Sequence, residues 1–136
     1  MISNISPTIL FTDTTPLSQT VTITDIESLS DDIAIYNFKK LLTKKDTIIW
    51  KNCANIKIII KSKINKIIFE NCKNIELCMH NAVIGVELNN CNDFKINIKK
   101  HINSFEAYKS SVILNQKDNN KTVFFCDKTK ITQPAC

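Results

Sequence analysis

Ile48-Ile-Trp-Lys-Asn-Cys-Ala-Asn-Ile-Lys-Ile58, Ile67-Ile-Phe-Glu-Asn-Cys-Lys-Asn-Ile-Glu-Leu77 and Val86-Glu-Leu-Asn-Asn-Cys-Asn-Asp-Phe-Lys-Ile96 are three copies of one pattern, and their cysteines, Cys53, Cys72 and Cys91, stand nineteen residues apart. A fixed period of this length is the mark of a repeat architecture. Counted from the cysteine, apolar columns fall five and three residues before it and three, five and seven after it. They hold Ile48, Ile67 and Val86; Trp50, Phe69 and Leu88; Ile56, Ile75 and Phe94; Ile58, Leu77 and Ile96; and Ile60, Met79 and Ile98. A column eleven residues after the cysteine is read as Ile64, Val83 and Ile102. Polar residues such as Lys51, Glu70 and Asn89 alternate with these, which is the period of strands with one buried face and not that of a helix.

A unit this short carries two or three strands and cannot bury its inner face alone; it does so when the next coil lies on it. Constant register makes the stacking parallel, and steric preference makes the crossovers right-handed. The expected fold is therefore all-β, a right-handed parallel β-helix (β-solenoid) of about five coils. Asn52, Asn71 and Asn90 are expected at corners, because Asn accepts left-handed backbone angles, and they could form an amide ladder between coils. Residues 31–136 are assigned to this domain and residues 1–30 to an extended N-terminal arm, with a strand suggested at Val21 and Ile23. Phe105, Ala107, Ser110, Val112 and Leu114 read as a further coil with a one-residue deletion, and Val123, Phe125 and Ile131 as a last one. Gln116 to Lys121 reads as a polar loop between them.

With 136 residues the chain has the length of one domain with a modest core. Its net charge of +5 arises from 18 lysines and no arginine, set against 13 acidic residues. The acids are interspersed with the lysines and no run of like charge forms a tail, so a nucleic-acid partner is not expected. Met1 to Leu10 is interrupted by Asn4, Ser6 and Pro7, which is no signal peptide, and nothing reaches membrane-spanning length. The expected location is cytoplasmic and reducing, so Cys53, Cys72, Cys78, Cys91, Cys126 and Cys136 are read as thiols.

From Ile58 to Leu114, and most clearly at Lys61-Ser-Lys-Ile-Asn65, Asn71-Cys72-Lys73 and Val83-Ile-Gly-Val-Glu87, the chain resembles the C-terminal domain of cyclase-associated proteins, members of the cofactor C-like (C-CAP) β-helix superfamily. The resemblance spans between half and two-thirds of the chain. It implies a β-helix that binds monomeric actin, prefers the ADP form, promotes nucleotide exchange and dimerises through exchanged C-terminal strands. The chain ends at Cys136, soon after its last recognisable coil, so the exchanged strands are expected to be missing, as are the proline-rich and helical regions of full-length members. The tubulin cofactor C branch is similar in fold but stimulates GTP hydrolysis with an arginine, a planar, permanently charged group that Lys does not copy. With no arginine, that activity is excluded.

The residues themselves give no catalytic arrangement, and no cofactor or metal is expected. Gly85 is the single glycine, which excludes P-loop and dinucleotide fingerprints. Cys78 and His80 lack the paired spacing of zinc ligands, and with His101 they are read as exposed corner residues. Ser104, Ser110 and Ser111 stand in no nucleophile elbow, and Asp25, Asp31 and Asp32 have no catalytic spacing. A surface role is left. Lys57, Lys61, Lys63, Lys66, Lys95, Lys99 and Lys100, with Lys128 and Lys130, are expected to form a basic face over the flat sheet. On the family resemblance, partner contact is assigned to Lys61, Lys63 and Lys66 and to Asp127, Lys128 and Lys130. The expected partner is a protein, actin on that reading. The other reading is a structural or scaffolding component of a larger assembly such as a virus particle, self-associating through its β-helix.

Overall fold

Each copy of the repeat folds into two strands and two corners. The computed structural model describes residues 20–27, 34–38, 44–116 and 122–132, and among them there are twelve strands and no helix. The strands are β1 (Thr20–Thr24), β2 (Ala34–Phe38), β3 (Thr47–Lys51), β4 (Ala54–Ile60), β5 (Ile64–Glu70), β6 (Lys73–Met79), β7 (Ala82–Asn89), β8 (Asn92–Ile98), β9 (Ile102–Tyr108), β10 (Ser111–Gln116), β11 (Val123–Asp127) and β12 (Lys130–Thr132). One sheet runs β1-β3-β5-β7-β9-β11 and the other β12-β10-β8-β6-β4-β2. All neighbours are parallel, so each coil gives one strand to each sheet.

The register is the nineteen-residue repeat made physical: Ile48, Ile67, Val86 and Phe105 lie side by side, as do Ile58, Leu77 and Ile96. The five apolar columns on either side of the cysteines are buried between the sheets. Their aromatic members pack in series: Trp50 stacks on Phe69 at 6.4 Å between ring centroids, and Phe69 meets Phe94 edge-on at 5.0 Å.

The first corner of each coil follows the odd-numbered strand. Asn52, Asn71, Asn90, Lys109 and Lys128, spaced nineteen residues apart, all hold positive φ between 50° and 57°. A second positive-φ column, Asn55, Asn74 and Asp93, follows it. The coil that starts at Phe105 lacks this second residue, because Val112 pairs with Phe94 only eighteen positions away, and that is where its one-residue deletion lies. Side-chain amides link the corners: Asn90 Nδ2 donates to Asn71 Oδ1 at 2.8 Å, Asn74 Nδ2 to Asn55 Oδ1 at 2.7 Å, and Asn52 Nδ2 to Asp25 Oδ1 at 3.2 Å.

The cysteine column is buried and its thiols are free. Each donates to carbonyls at the corner: Cys72 Sγ to Trp50 O at 3.5 Å and Glu70 O at 3.4 Å, and Cys91 Sγ to Phe69 O at 3.5 Å and Asn89 O at 3.4 Å. Ser110 and Thr129 continue the column with the same bonds, to Tyr108 O at 2.8 Å and to Ala107 O at 3.0 Å. The column is thus defined by a donor that fits a corner, not by sulfur chemistry. Hydrogen bonding to the neighbouring thiol, and then burial, push Cys53 well above the ordinary thiol range. The bond from Cys53 favours the thiolate of Cys72, but the bond to Cys91 and burial outweigh it, and Cys72 is pushed up to about 11.

Four expectations are corrected. The inward residue between Ile64 and Ile102 is Ala82, and Val83 is 36% exposed, because the register shifts between Ala82 and Gly85. In the last coil the pairing sets Phe124 over Phe105 and Cys126 over Ala107, so Val123 and Phe125 face outward. Gln116 belongs to β10 and is buried, its Nε2 donating to Thr122 Oγ1 at 2.9 Å. The stack begins at Thr20, before residue 31, with Val21 and Ile23 in β1 as expected and Ile23 and Ile26 buried in the core. Residues 1–19, Asp31, Asp32, the 117–121 stretch and Cys136 lie outside the described residues.

Candidate functional site

Two corners per coil give the solenoid two faces and two edges, and each lysine is placed by the one it belongs to. On the outer face of the β1-to-β11 sheet, Lys66 of β5 reaches Glu87 of β7 at 2.8 Å and Glu106 of β9 at 3.1 Å. Burial alone would lower the Lys66 ammonium, but hydrogen bonds from it to Glu87 and Glu106 outweigh this and raise it. Burial alone would raise the Glu87 carboxyl; Lys66, then the Asn89 amide, hold it below the ordinary carboxylate range. Nearby, Lys51 pairs with Glu70 at 3.8 Å. On the opposite face Lys57 pairs with Glu76 at 3.7 Å. The faces are therefore laced by charges of both signs, the pairs joining adjacent coils except for Lys66 and Glu106, which reach across the coil of β7.

The edges differ. The edge formed by the first corners carries the amide ladder and, in its last two turns, Lys109 and Lys128. The edge formed by the second corners carries Lys61-Ser-Lys63 between β4 and β5, His80-Asn81 between β6 and β7, and Lys99-Lys-His101 between β8 and β9. These corners stack by backbone bonds, Lys99 N donating to Met79 O at 3.0 Å and Lys100 N to His80 O at 2.9 Å. No Asp or Glu occurs in any of the three. Lys61, Lys63, Lys99 and Lys100 thus give this edge a basic stretch.

The expected basic face is corrected accordingly: Lys57 and Lys95 project from one sheet, Lys66 from the other, and Lys61, Lys63, Lys99 and Lys100 from the second corners, because the sheets are separated by corners only two or three residues long. Of the assigned contact residues, Lys61 and Lys63 are exposed on the basic edge, and Lys66 stands on the adjoining sheet, held by its two glutamates. Asp127, Lys128 and Lys130 are exposed in the last coil, on the edge formed by the first corners. The structure does not bring the two groups together.

His80 and His101 are half-buried in the second corners, and His101 Nε2 lies 3.1 Å from Asn103 Oδ1. Cys78 stands in β6 and not at a corner, half-buried beside Asn97, whose Nδ2 lies 3.8 Å from its Sγ. Among the described residues no group of three or more His, Cys, Asp or Glu converges on a metal position. No described helix is long and apolar enough to cross a membrane.

Sequence reading missed one surface feature. The inward residues Ile64 and Ile67 of β5 are three apart, as are Ile102 and Phe105 of β9, but Ala82 and Val86 of β7 are four apart. The extra residue makes a bulge that turns Val83 and Ile84 outward, the latter 41% exposed. The one glycine of the chain was its signal, since Gly inside a strand marks a bulge or a close backbone approach. Gly85 has φ 154°, and a Cβ there would run into the Ser104 carbonyl oxygen.

A family model described as adenylate cyclase associated (CAP) C-terminal matches residues 26–124. Among solved structures the chain is similar to the crystal structure of cyclase-associated protein from Cryptosporidium parvum, with a TM-score of 0.76 and 18% identity, covering 98% of this chain and 79% of that one. At that identity the likeness is one of fold. No curated protein matches the sequence.

Proposed function

Since the chain belongs to the adenylate cyclase-associated (CAP) C-terminal family, we propose that it is a non-enzymatic protein-binding module whose partner is monomeric actin, preferred in its ADP form, whose nucleotide exchange it promotes. The observation that carries this reading is the extent of the family match, residues 26–124, which spans the stack from just after β1 into β11. The surface supports a protein partner as well. Lys51, Lys57 and Lys66 on the two faces pair with glutamates, whereas Lys61, Lys63, Lys99 and Lys100 stand in second corners that contain no Asp or Glu and present a positive field that steers an acidic partner. Lys61 and Lys63 are the contact residues we assign to it. Asp127, Lys128 and Lys130 make a separate contact if the partner extends to the last coil, and a cytoplasmic location follows from the partner.

Fluorescence titration of labelled ADP-actin and of ATP-actin with the full chain tests the reading, together with the rate at which a fluorescent nucleotide leaves actin. Micromolar binding that favours the ADP form, and faster nucleotide release, are expected. Absence of binding at tens of micromolar sinks the actin reading. A second reading, a structural component of a larger assembly, is favoured by the last coil, where Val123 and Phe125 are 52% and 53% exposed on an open sheet edge. Under it, the chain purified from its native source is a stoichiometric part of a particle.

A further inference from the structure

The geometry points to a docking site on the second-corner edge, where Val83 and Ile84 form an apolar tip inside a basic rim, and to an acidic protein segment carrying a large apolar side chain as its occupant. For the name of the partner this rests on the actin reading above; the chemistry of the occupant rests on the surface alone. The tip is built, not incidental. Val83 and Ile84 replace the single polar residue that precedes the equivalent of Gly85 in the adjacent coils, Asn65 before Lys66 and Asn103 before Ser104. The next coil holds the bulge in place: Asn103 Nδ2 donates to Val83 O, and Ser104 Oγ donates to Ile84 O at 3.3 Å. Gly85 lets the Ser104 backbone approach where any side chain would clash. Two hydrogen-bonding side chains and the sole glycine thus sustain a local break in an otherwise regular ladder. Its consequence is to expose two branched apolar side chains where each adjacent coil presents one polar residue, Asn65 or Asn103, while Ala82 keeps the inward position. A bulge that re-aims side chains at such a cost is the kind found at functional sites.

The rim explains the occupant. Lys61 and Lys63 lie in the corner before β5, His80 in the corner before β7, and Lys99 and Lys100 in the corner before β9, on the same edge as the bulge. An apolar centre excludes water and supplies affinity, and a rim of one sign supplies orientation and association rate. With no carboxylate in these corners the complement is acidic.

The full-length chain is titrated with labelled ADP-actin across a salt series, and in parallel with a peptide of alternating Glu and Leu, which carries the stated chemistry without actin. The variants are Val83→Ser with Ile84→Ser, Lys99→Glu with Lys100→Glu, and, as a control on the opposite face, Lys57→Glu. All change exposed or half-exposed side chains, and far-UV circular dichroism checks that the stack is kept. The serine pair is expected to weaken binding tenfold or more at every salt concentration. The glutamate pair is expected to slow association and flatten its salt dependence, and Lys57→Glu to change binding less than twofold. Wild type that binds the peptide but not actin, with both pairs losing the peptide, sinks the actin reading and keeps the site. Pairs that bind like wild type, or a wild type that binds neither probe, overturn the site.

Discussion

Asn71 shows how one backbone angle sets the shape of a coil. An L-residue with φ near 53° pays roughly 1–2 kcal/mol for crowding between its Cβ and the following carbonyl, a cost Asn reduces through its short amide. The amide is also used between coils, accepting from Asn90 at 2.8 Å. Lys109 and Lys128 hold the same angle without that advantage, so the stack imposes the conformation and the residue only eases it. The two contributions separate by mutation. Asn71→Ala is expected to lower stability by about 2 kcal/mol, strain and lost hydrogen bonding together. Asn71→Gly, free to take positive φ, is expected to lose about 1 kcal/mol. Urea unfolding of the two variants measures the difference, and equal losses would mean that the left-handed angle is not the reason Asn stands there.

At the scale of neighbouring strands, β5, β7 and β9 are joined on their outer face by one ammonium held between two carboxylates. Glu87 is held below its ordinary value by Lys66, so its contribution to stability is complete above about pH 4.3 and is lost as pH falls through the depressed folded value. Lys66 is raised, so its share is complete below about pH 10.4 and is lost as pH rises through the raised value. Lys66→Met removes the cation and leaves Glu87 and Glu106 facing each other in paired positions. We expect a loss of about 1 kcal/mol at pH 7, from the lost pairing and from two carboxyl groups left opposite each other on adjacent strands. The deficit should shrink as pH falls below 4, because wild type loses its pairing while the variant loses its repulsion. Thermal midpoints of both proteins at pH 3.5 and pH 7 decide it, and a deficit that stays constant between them would disprove the coupling. None of this pairing was legible in the sequence. Lys66 was grouped with Lys61 and Lys63 on the family resemblance, whereas those two lie in the corner itself and Lys66, in β5 just after it, stands on a sheet face. The bulge of β7 was hidden for a related reason. Ala82 and Val83 are both apolar, and the missing residue before Ala82 is restored before Val86, so the nineteen-residue period on either side is undisturbed.

Over the whole molecule, the architecture was legible because every coil repeats the same register. Cys53, Cys72 and Cys91 and the apolar columns around them fix which residues stack, and the structure follows them from Ile48 to Ile98. Legibility fails at the far end: with Val123, Phe124 and Phe125 all apolar, only the count from Phe105 shows which faces inward. A solenoid of this kind has stability close to a sum of coils and their interfaces, so it should tolerate loss of a whole coil but not of a fraction. Deleting Glu76 to Phe94, nineteen residues, joins Ile75 to Lys95 and makes a hybrid strand whose Ile75, Ile96 and Ile98 still face Ile56, Ile58 and Ile60. It also removes the bulge and sets β9 directly beside β5, both with three-residue spacing between their inward residues. Deleting Glu76 to Asp93, eighteen residues, joins Ile75 to Phe94 and sends every later side chain of that strand to the opposite face. The first variant is expected to keep the far-UV spectrum of parallel sheet and to unfold cooperatively in urea, with a smaller m-value in proportion to the surface removed. The second is expected to aggregate or to lose its cooperative transition. If both unfold alike, the columns do not set the register, and the stacking described here is wrong.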